Sequence, residues 1–94
     1  MNDYEGLEVH FDTITPMPPG KLANAEVRFI DGPLVGLKIV GIKVWGYKHG
    51  NGQTVYTPSY ITPSEFTESD RKSLQRFKNW ISLKYQEWAK EQNK

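Results

Sequence analysis

LVGLKIVGIKVWGYKHGNGQTVYTPSY, residues 34–60, is the stretch whose reading decides the fold. Its first arm, Leu34–Lys48, carries Ile39, Ile42, Val44, Trp45 and Tyr47, the β-branched and aromatic types that suit a pleated, half-buried surface. Its second arm, Gln53–Tyr60, carries Val55, Tyr56 and Tyr60. Between them, His49-Gly50-Asn51-Gly52 holds an Asn-Gly pair, a strong hairpin signal because both residues tolerate positive φ. Two strands alone are marginal in water, so the rest of the chain is expected to cover this long hairpin.

Working outward toward the N-terminus, Asp31-Gly32-Pro33 reads as a turn. Before it, Leu22–Ile30 alternates, with Ala23, Ala25, Val27 and Phe29 on one face and Asn24, Glu26 and Arg28 on the other. The run Pro16-Met17-Pro18-Pro19-Gly20 stops any ladder, because proline donates no backbone hydrogen bond. Leu7–Thr15 alternates again and reads as the first strand, with Leu7, Val9 and Phe11 inward, and residues 1–6 read as a loose terminus. Four strands in this order make an antiparallel meander over residues 7–60.

Beyond Tyr60 the period changes. Thr62-Pro63-Ser64-Glu65 and Thr67 with Asp70 both fit helix starts, and the main helix is expected from about Glu68 to Lys90 within a helical segment 62–90. Leu74, Phe77, Ile81, Tyr85 and Trp88 then step by 3, 4, 4 and 3 residues, a single apolar stripe. The fold class is therefore α+β: a small antiparallel four-stranded sheet followed by one C-terminal amphipathic helix packed on it, in a single domain of 94 residues.

Two features bear on assembly. Lys38, Val40, Ile42 and Val44 share one parity and Leu37, Ile39, Lys43, Trp45 and Tyr47 the other, so both faces of the first arm look apolar while one helix covers only one. Gly36, Gly41 and Gly46, five residues apart, suggest a bent ribbon or close packing on a second copy. The expectation is a homodimer with Ile39, Gly41, Lys43, Trp45 and Tyr47 in its interface.

The chemistry of catalysis is not legible. Without cysteine there is no disulfide, thiolate metal site or cysteine nucleophile. No Gly-rich phosphate loop, HExxH or paired histidine motif occurs; His10 and His49 read as surface residues and Ser59 as turn chemistry. No enzyme activity, cofactor or metal is expected. The net charge of +1 selects no partner, and no apolar run approaches a membrane span. The acidic start, Met1-Asn2-Asp3-Tyr4-Glu5, is unlike a targeting peptide, which makes a cytoplasmic protein the expectation.

Charge distribution says more than charge total. From Arg71 to Gln86 the helix carries Arg71, Lys72, Arg76, Lys78 and Lys84 and no acid, whereas Glu65, Glu68 and Asp70 precede that run. Such a segment suits phosphate contacts, with Trp80, Tyr60 or His49 placed to stack on unpaired bases. The alternative is a solvated helix face with its cations biased away from the N-terminus.

Lys21-Leu22-Ala23-Asn24-Ala25-Glu26-Val27, then Gly41-Ile42-Lys43-Val44, a glycine-rich turn and Val55-Tyr56-Thr57-Pro58-Ser59 together resemble the SpoVG (stage V sporulation protein G) family. The resemblance covers about residues 20–60. It implies a small sheet with a C-terminal helix, a homodimer joined through strands, and a bacterial regulator that binds nucleic acid, DNA or RNA, without enzymatic activity or cofactor. Where that family has a basic residue after Pro-Ser this chain has Tyr60, so no basic contact is carried to that position. Two functions follow as expectations. One is a dimeric nucleic-acid-binding regulator using Arg71, Lys72, Arg76, Lys78 and Lys84. The other is a protein–protein interaction module that uses the apolar hairpin face or a sheet edge.

Overall fold

The structure is a computed structural model that describes residues 4–14, 17–46 and 52–92. Strands β1 (Leu7–Asp12), β2 (Lys21–Phe29), β3 (Lys38–Gly46) and β4 (Gln53–Tyr56) precede a single helix, α1 (Glu68–Gln92). All three strand pairings are antiparallel and the strand order is β1-β2-β3-β4, the meander expected for an α+β chain. The Asn51-containing turn and Tyr47 lie outside the described residues.

The strands are shorter than their sequence patterns, each for a local reason. β1 ends at Asp12 rather than Thr15 because the Asp12 carboxylate accepts the Ile14 backbone N–H two residues on, at 3.1 Å, and bends the chain away. The first arm of the hairpin begins at Lys38 rather than Leu34. Residues 32–37 instead fold into successive tight turns, with Val35 N–H donating to Gly32 O and Leu37 N–H to Leu34 O. β4 stops at Tyr56, and Ile61 N–H donates to Pro58 O in the turn that follows.

The helix start is decided by side chains. The Thr67 hydroxyl accepts the Asp70 N–H at 3.0 Å and the Asp70 carboxylate accepts the Thr67 N–H at 3.1 Å, a reciprocal capping box. The competing start at Thr62-Pro63 is broken by Glu65, whose φ of 66° is left-handed. The Asp70 carboxylate also accepts from Phe66 N–H and from the Ser64 hydroxyl, so one side chain gathers the whole approach to the helix.

The core forms between the sheet and α1: Ala23, Ala25, Val27, Ile42, Val44 and Val55 from the sheet and Ile81 from the helix are buried. The two alanines provide a low floor on which Ile81 seats at 0% exposure. Aromatic side chains tie the helix down along its length. Phe11 of β1 meets Tyr85 edge-on at 5.7 Å and Trp88 at 5.6 Å, while Tyr4 stacks on Trp80 at 4.5 Å. Burying a large apolar side chain contributes about 1.5–3 kcal/mol before entropy, and aromatic pairing adds about 0.5–1.5 kcal/mol.

Two irregularities decide which residues share a face. Ala25 pairs with Ile42 and Val27 with Ile39, so Val40 and Gly41 of β3 stand opposite Glu26 alone. This bulge requires Gly41, with φ of +87°. It places Ile39 on the helix side with Ile42 and Val44, which corrects the simple alternation that grouped Ile39 with Lys43 and Trp45. A second bulge, at Leu22, tucks that side chain over Gly46, where an added Cβ would lie 3.5 Å from it.

The face away from the helix is consequently not the apolar surface that parity suggested. It carries the Glu8–His10 and Glu26–Arg28 pairs, Lys38 beside Glu26, and Asn24 donating to Asp12.

Gly41→Ala and Gly36→Ala are both expected to lose about 1–2 kcal/mol in urea unfolding, because both glycines have left-handed φ. Gly41→Ala loses more, since its Cβ would come within 3.3 Å of Pro58 Cγ, whereas nothing lies within 4 Å at Gly36. Equal losses would show that Pro58 moves aside freely.

Asp70 adds a pH dependence. The Ser64 hydroxyl, and then the N–H groups of Thr67 and Phe66, hold its carboxyl below the ordinary aspartate value. Its contribution is therefore fully present above that ordinary value and is lost as pH falls through the lowered one. Asp70→Asn should be less stable at neutral pH and show a shallower acid loss in thermal melts, and an unchanged acid limb would refute the assignment.

Candidate nucleic-acid interface

The helix cations do not form one surface. Arg71 and Lys72 both pair with Glu68, at 3.4 and 3.6 Å, and Lys84 pairs with Glu87 at 3.4 Å. Exposed pairs of this kind are worth little in stability, but two glutamates flanking the acid-free run sit beside three of its five cations. Arg76 donates through Nη2 to Ser69 O at 3.1 Å and to the Ser69 hydroxyl at 3.3 Å. Lys78 makes no ion pair among the described residues, and it lines a polar cleft with Gln53, Gln75, Asn79 and Gln86.

The geometry of α1 separates these groups further. Ser82 and Gln86 both donate to Gln53 Oε1, so the line of positions 78, 82 and 86 faces β4. Trp80 stacks on Tyr4 and Trp88 packs on Phe11, so the line 80, 84 and 88 faces the N-terminal segment and β1. Lys78 and Lys84 thus leave the helix on opposite flanks. Trp80 is part of the packing around the core, and its indole N–H is buried without a hydrogen-bond partner among the described residues. Its ring is engaged with Tyr4, which corrects its expected role as an open platform for bases. Tyr60, at 72% exposure, keeps an open ring.

Two further aromatic groups that could meet a base, Trp45 and Tyr56, lie on the uncovered sheet face. Lys43 of β3 stands opposite Tyr56 of β4, and the adjacent Trp45 stands opposite Thr54. The Trp45 and Tyr56 rings meet edge-to-face at 6.4 Å, and with Lys43 they line a shallow depression. Trp45 is half-buried because one side of its six-membered ring lies over Gly20, where an added Cβ would sit 3.6 Å away. Tyr56 is 55% exposed. Lys43 makes no ion pair among the described residues, and Asn24 stands opposite it on β2.

Along β1 and β2 the same face carries hydrogen-bonded polar and charged side chains. Arg28 Nε donates to Glu26 at 2.7 Å, and that bond, with the charges of Arg28 and Lys38, holds the Glu26 carboxyl below the ordinary glutamate value. The face therefore divides into a charged half, where Glu26 engages both Arg28 and Lys38, and an aromatic half where Lys43 makes no ion pair among the described residues.

Of the residues expected at a dimer contact, Lys43 and Trp45 share this face, Ile39 is on the opposite one, and Gly41 occupies the bulge. Tyr47 lies outside the described residues. Tyr56 was not singled out by the sequence reading. Counting register outward from the hairpin turn is the signal that would have placed it opposite Lys43.

Among the described residues no group of three or more His, Asp or Glu side chains is arranged to hold a metal ion, and no helix is long and apolar enough to cross a membrane. No protein-family model matches the chain, and no curated protein or solved structure matches it.

Proposed function

We propose that this protein is a small nucleic-acid-binding regulator that receives single-stranded DNA or RNA on the open face of β3 and β4. The observation that carries the reading is the pairing of half-buried Trp45 with exposed Tyr56 beside Lys43, a cation with no ion pair among the described residues. Unpaired bases present π-faces to such rings, and a lysine at their edge meets the backbone phosphate. Lys78, at the edge of β4, extends the cationic path around that strand. The resemblance of residues 20–60 to the SpoVG family points in the same direction.

The test is fluorescence anisotropy with labelled mixed-sequence oligonucleotides, single- and double-stranded, across a salt series. Single strands should bind better, with a log–log salt slope of about −0.7 for each phosphate contacted. Tyr56→Ala should cost about 1–3 kcal/mol of binding, and Lys43→Glu should weaken binding while flattening the slope. Lys78→Glu should have the smaller effect. If Lys43→Glu and Tyr56→Ala bind as the parent does, the sheet face is not the site.

A second reading, an interaction module that pairs with a protein chain or with itself, is favoured by one specific observation. Ile30, Leu34, Val35, Leu37 and Val40, all 48–60% exposed, crowd the β2–β3 end of the sheet. Apolar side chains gathered in this way mark association surfaces more often than scattered ones do. Sedimentation equilibrium should then detect a dimer that Leu34→Asp with Leu37→Asp converts to monomer without changing the thermal melt. A parent chain that stays monomeric at every concentration would leave this end without a role in self-association.

A further inference from the structure

One cleft belongs to neither of these surfaces. It opens between the N-terminal half of α1 and the segment that leads into it, with a volume of about 450 Å3, inside the range of about 300–1,000 Å3 typical of small-molecule sites. Its walls are Tyr4, Ile39, Ile61, Pro63, Leu74 and Phe77. The bulge at Gly41 helps to build it, because without that extra residue Ile39 would face the other side of the sheet.

Besides Tyr4, the side chains with polar groups at this cleft are Thr62, Ser73 and Arg76. The Ser73 hydroxyl donates to the backbone carbonyls of Ser69 and Asp70 and is thereby turned back onto its own helix. Arg76 is different. Its Nη2 is anchored on Ser69, which fixes the plane of the guanidinium, yet among the described residues it pairs with no carboxylate. A guanidinium carries five N–H donors in a planar fork. Here part of that fork is used for positioning, and the rest is left at the edge of an apolar hollow.

We propose that this cleft binds a small monocarboxylate with a compact apolar body, an aromatic or branched aliphatic acid, whose carboxylate is taken by Arg76. Charge complementarity selects the head group: one guanidinium that pairs with no carboxylate among the described residues matches one negative charge, and the N–H donors not used on Ser69 are the ones left for its oxygens. The acidic first turn of α1, Glu68 and Asp70, disfavours a more highly charged anion in the same space. The walls select the body, because Ile39, Leu74 and Phe77 offer no hydrogen bond and reward only apolar surface. The site stands apart from the nucleic-acid reading: neither Lys43 nor Tyr56 lines it.

The experiment is a titration with phenylacetate, and separately with 2-phenylethanol as its uncharged counterpart, followed by methyl and amide NMR shifts of the full chain. Phenylacetate should give saturable shifts at Ile39, Ile61 and Leu74, and the alcohol should bind about tenfold or more weakly. Arg76→Gln should lose affinity for the acid by a similar factor while leaving the weak affinity for the alcohol unchanged. Leu74→Trp, which fills the cleft from a half-buried position, should abolish both. Equal binding of acid and alcohol, or an Arg76→Gln variant that binds phenylacetate as the parent does, would overturn the proposal. So would the absence of any saturable shift in the parent chain. Oligonucleotide binding by Arg76→Gln, measured in parallel, separates this outcome from failure of the sheet-face site.

Discussion

The bulge at Val40 and Gly41 is the constraint on which the rest of this structure depends. In a strand without irregularity, Ile39 and Ile42 point to opposite faces, since side chains alternate with period two. Inserting one residue opposite Glu26 lets both isoleucines face the helix, together with Val44. Only a residue that accepts a left-handed φ serves at that position without strain, and Gly41 does so while Pro58 closes over it. The same insertion removes an isoleucine from the outer face, leaving it to Lys43, Trp45 and charged neighbours.

The helix then has a floor to sit on. Ala23 and Ala25 of β2 are buried in one cluster with Ile81, which fills the space between helix and sheet. On either side the aromatic residues act as clamps, Phe11 with Tyr85 and Trp88 on one hand and Tyr4 with Trp80 on the other. This arrangement explains why the chain uses so many aromatic side chains for its size. Five of them, Phe11, Phe77, Trp80, Tyr85 and Trp88, pack against the core that joins the long helix to the short sheet. It also explains why Trp80 serves packing instead of recognition.

Three surfaces remain after the core is made, and they differ in character. The β2–β3 end is apolar and exposed. The outer sheet face is charged along β1 and β2 but aromatic along β3 and β4. The N-terminal half of the helix borders an apolar hollow with Arg76 at its edge. Cations on one helix look like one feature in a linear sequence. In space their direction is set by which neighbouring strand each turn of the helix faces, and glutamates just outside the run return to pair with them.

What the sequence by itself determined is the set of elements and their order. The alternation in Leu22–Ile30, the β-branched and aromatic content of the hairpin, and the helical spacing of Leu74, Phe77, Ile81, Tyr85 and Trp88 are local signals, each readable because backbone geometry imposes its own period on side-chain direction. The four strands, the meander and the helix from Glu68 follow from them. What only the tertiary structure decided is which residues share a surface. A bulge shifts parity by one residue for every position on one side of it, and nothing in the pattern of Leu34–Lys48 announces where that shift falls, since Gly36, Gly41 and Gly46 compete for the role. The capping choice between Thr62 and Thr67 likewise rested on whether Glu65 would turn left-handed, which depends on the fit of the approaching segment. Tyr56 joined Trp45 and Lys43 through strand register, a property of two strands together that neither strand carries alone.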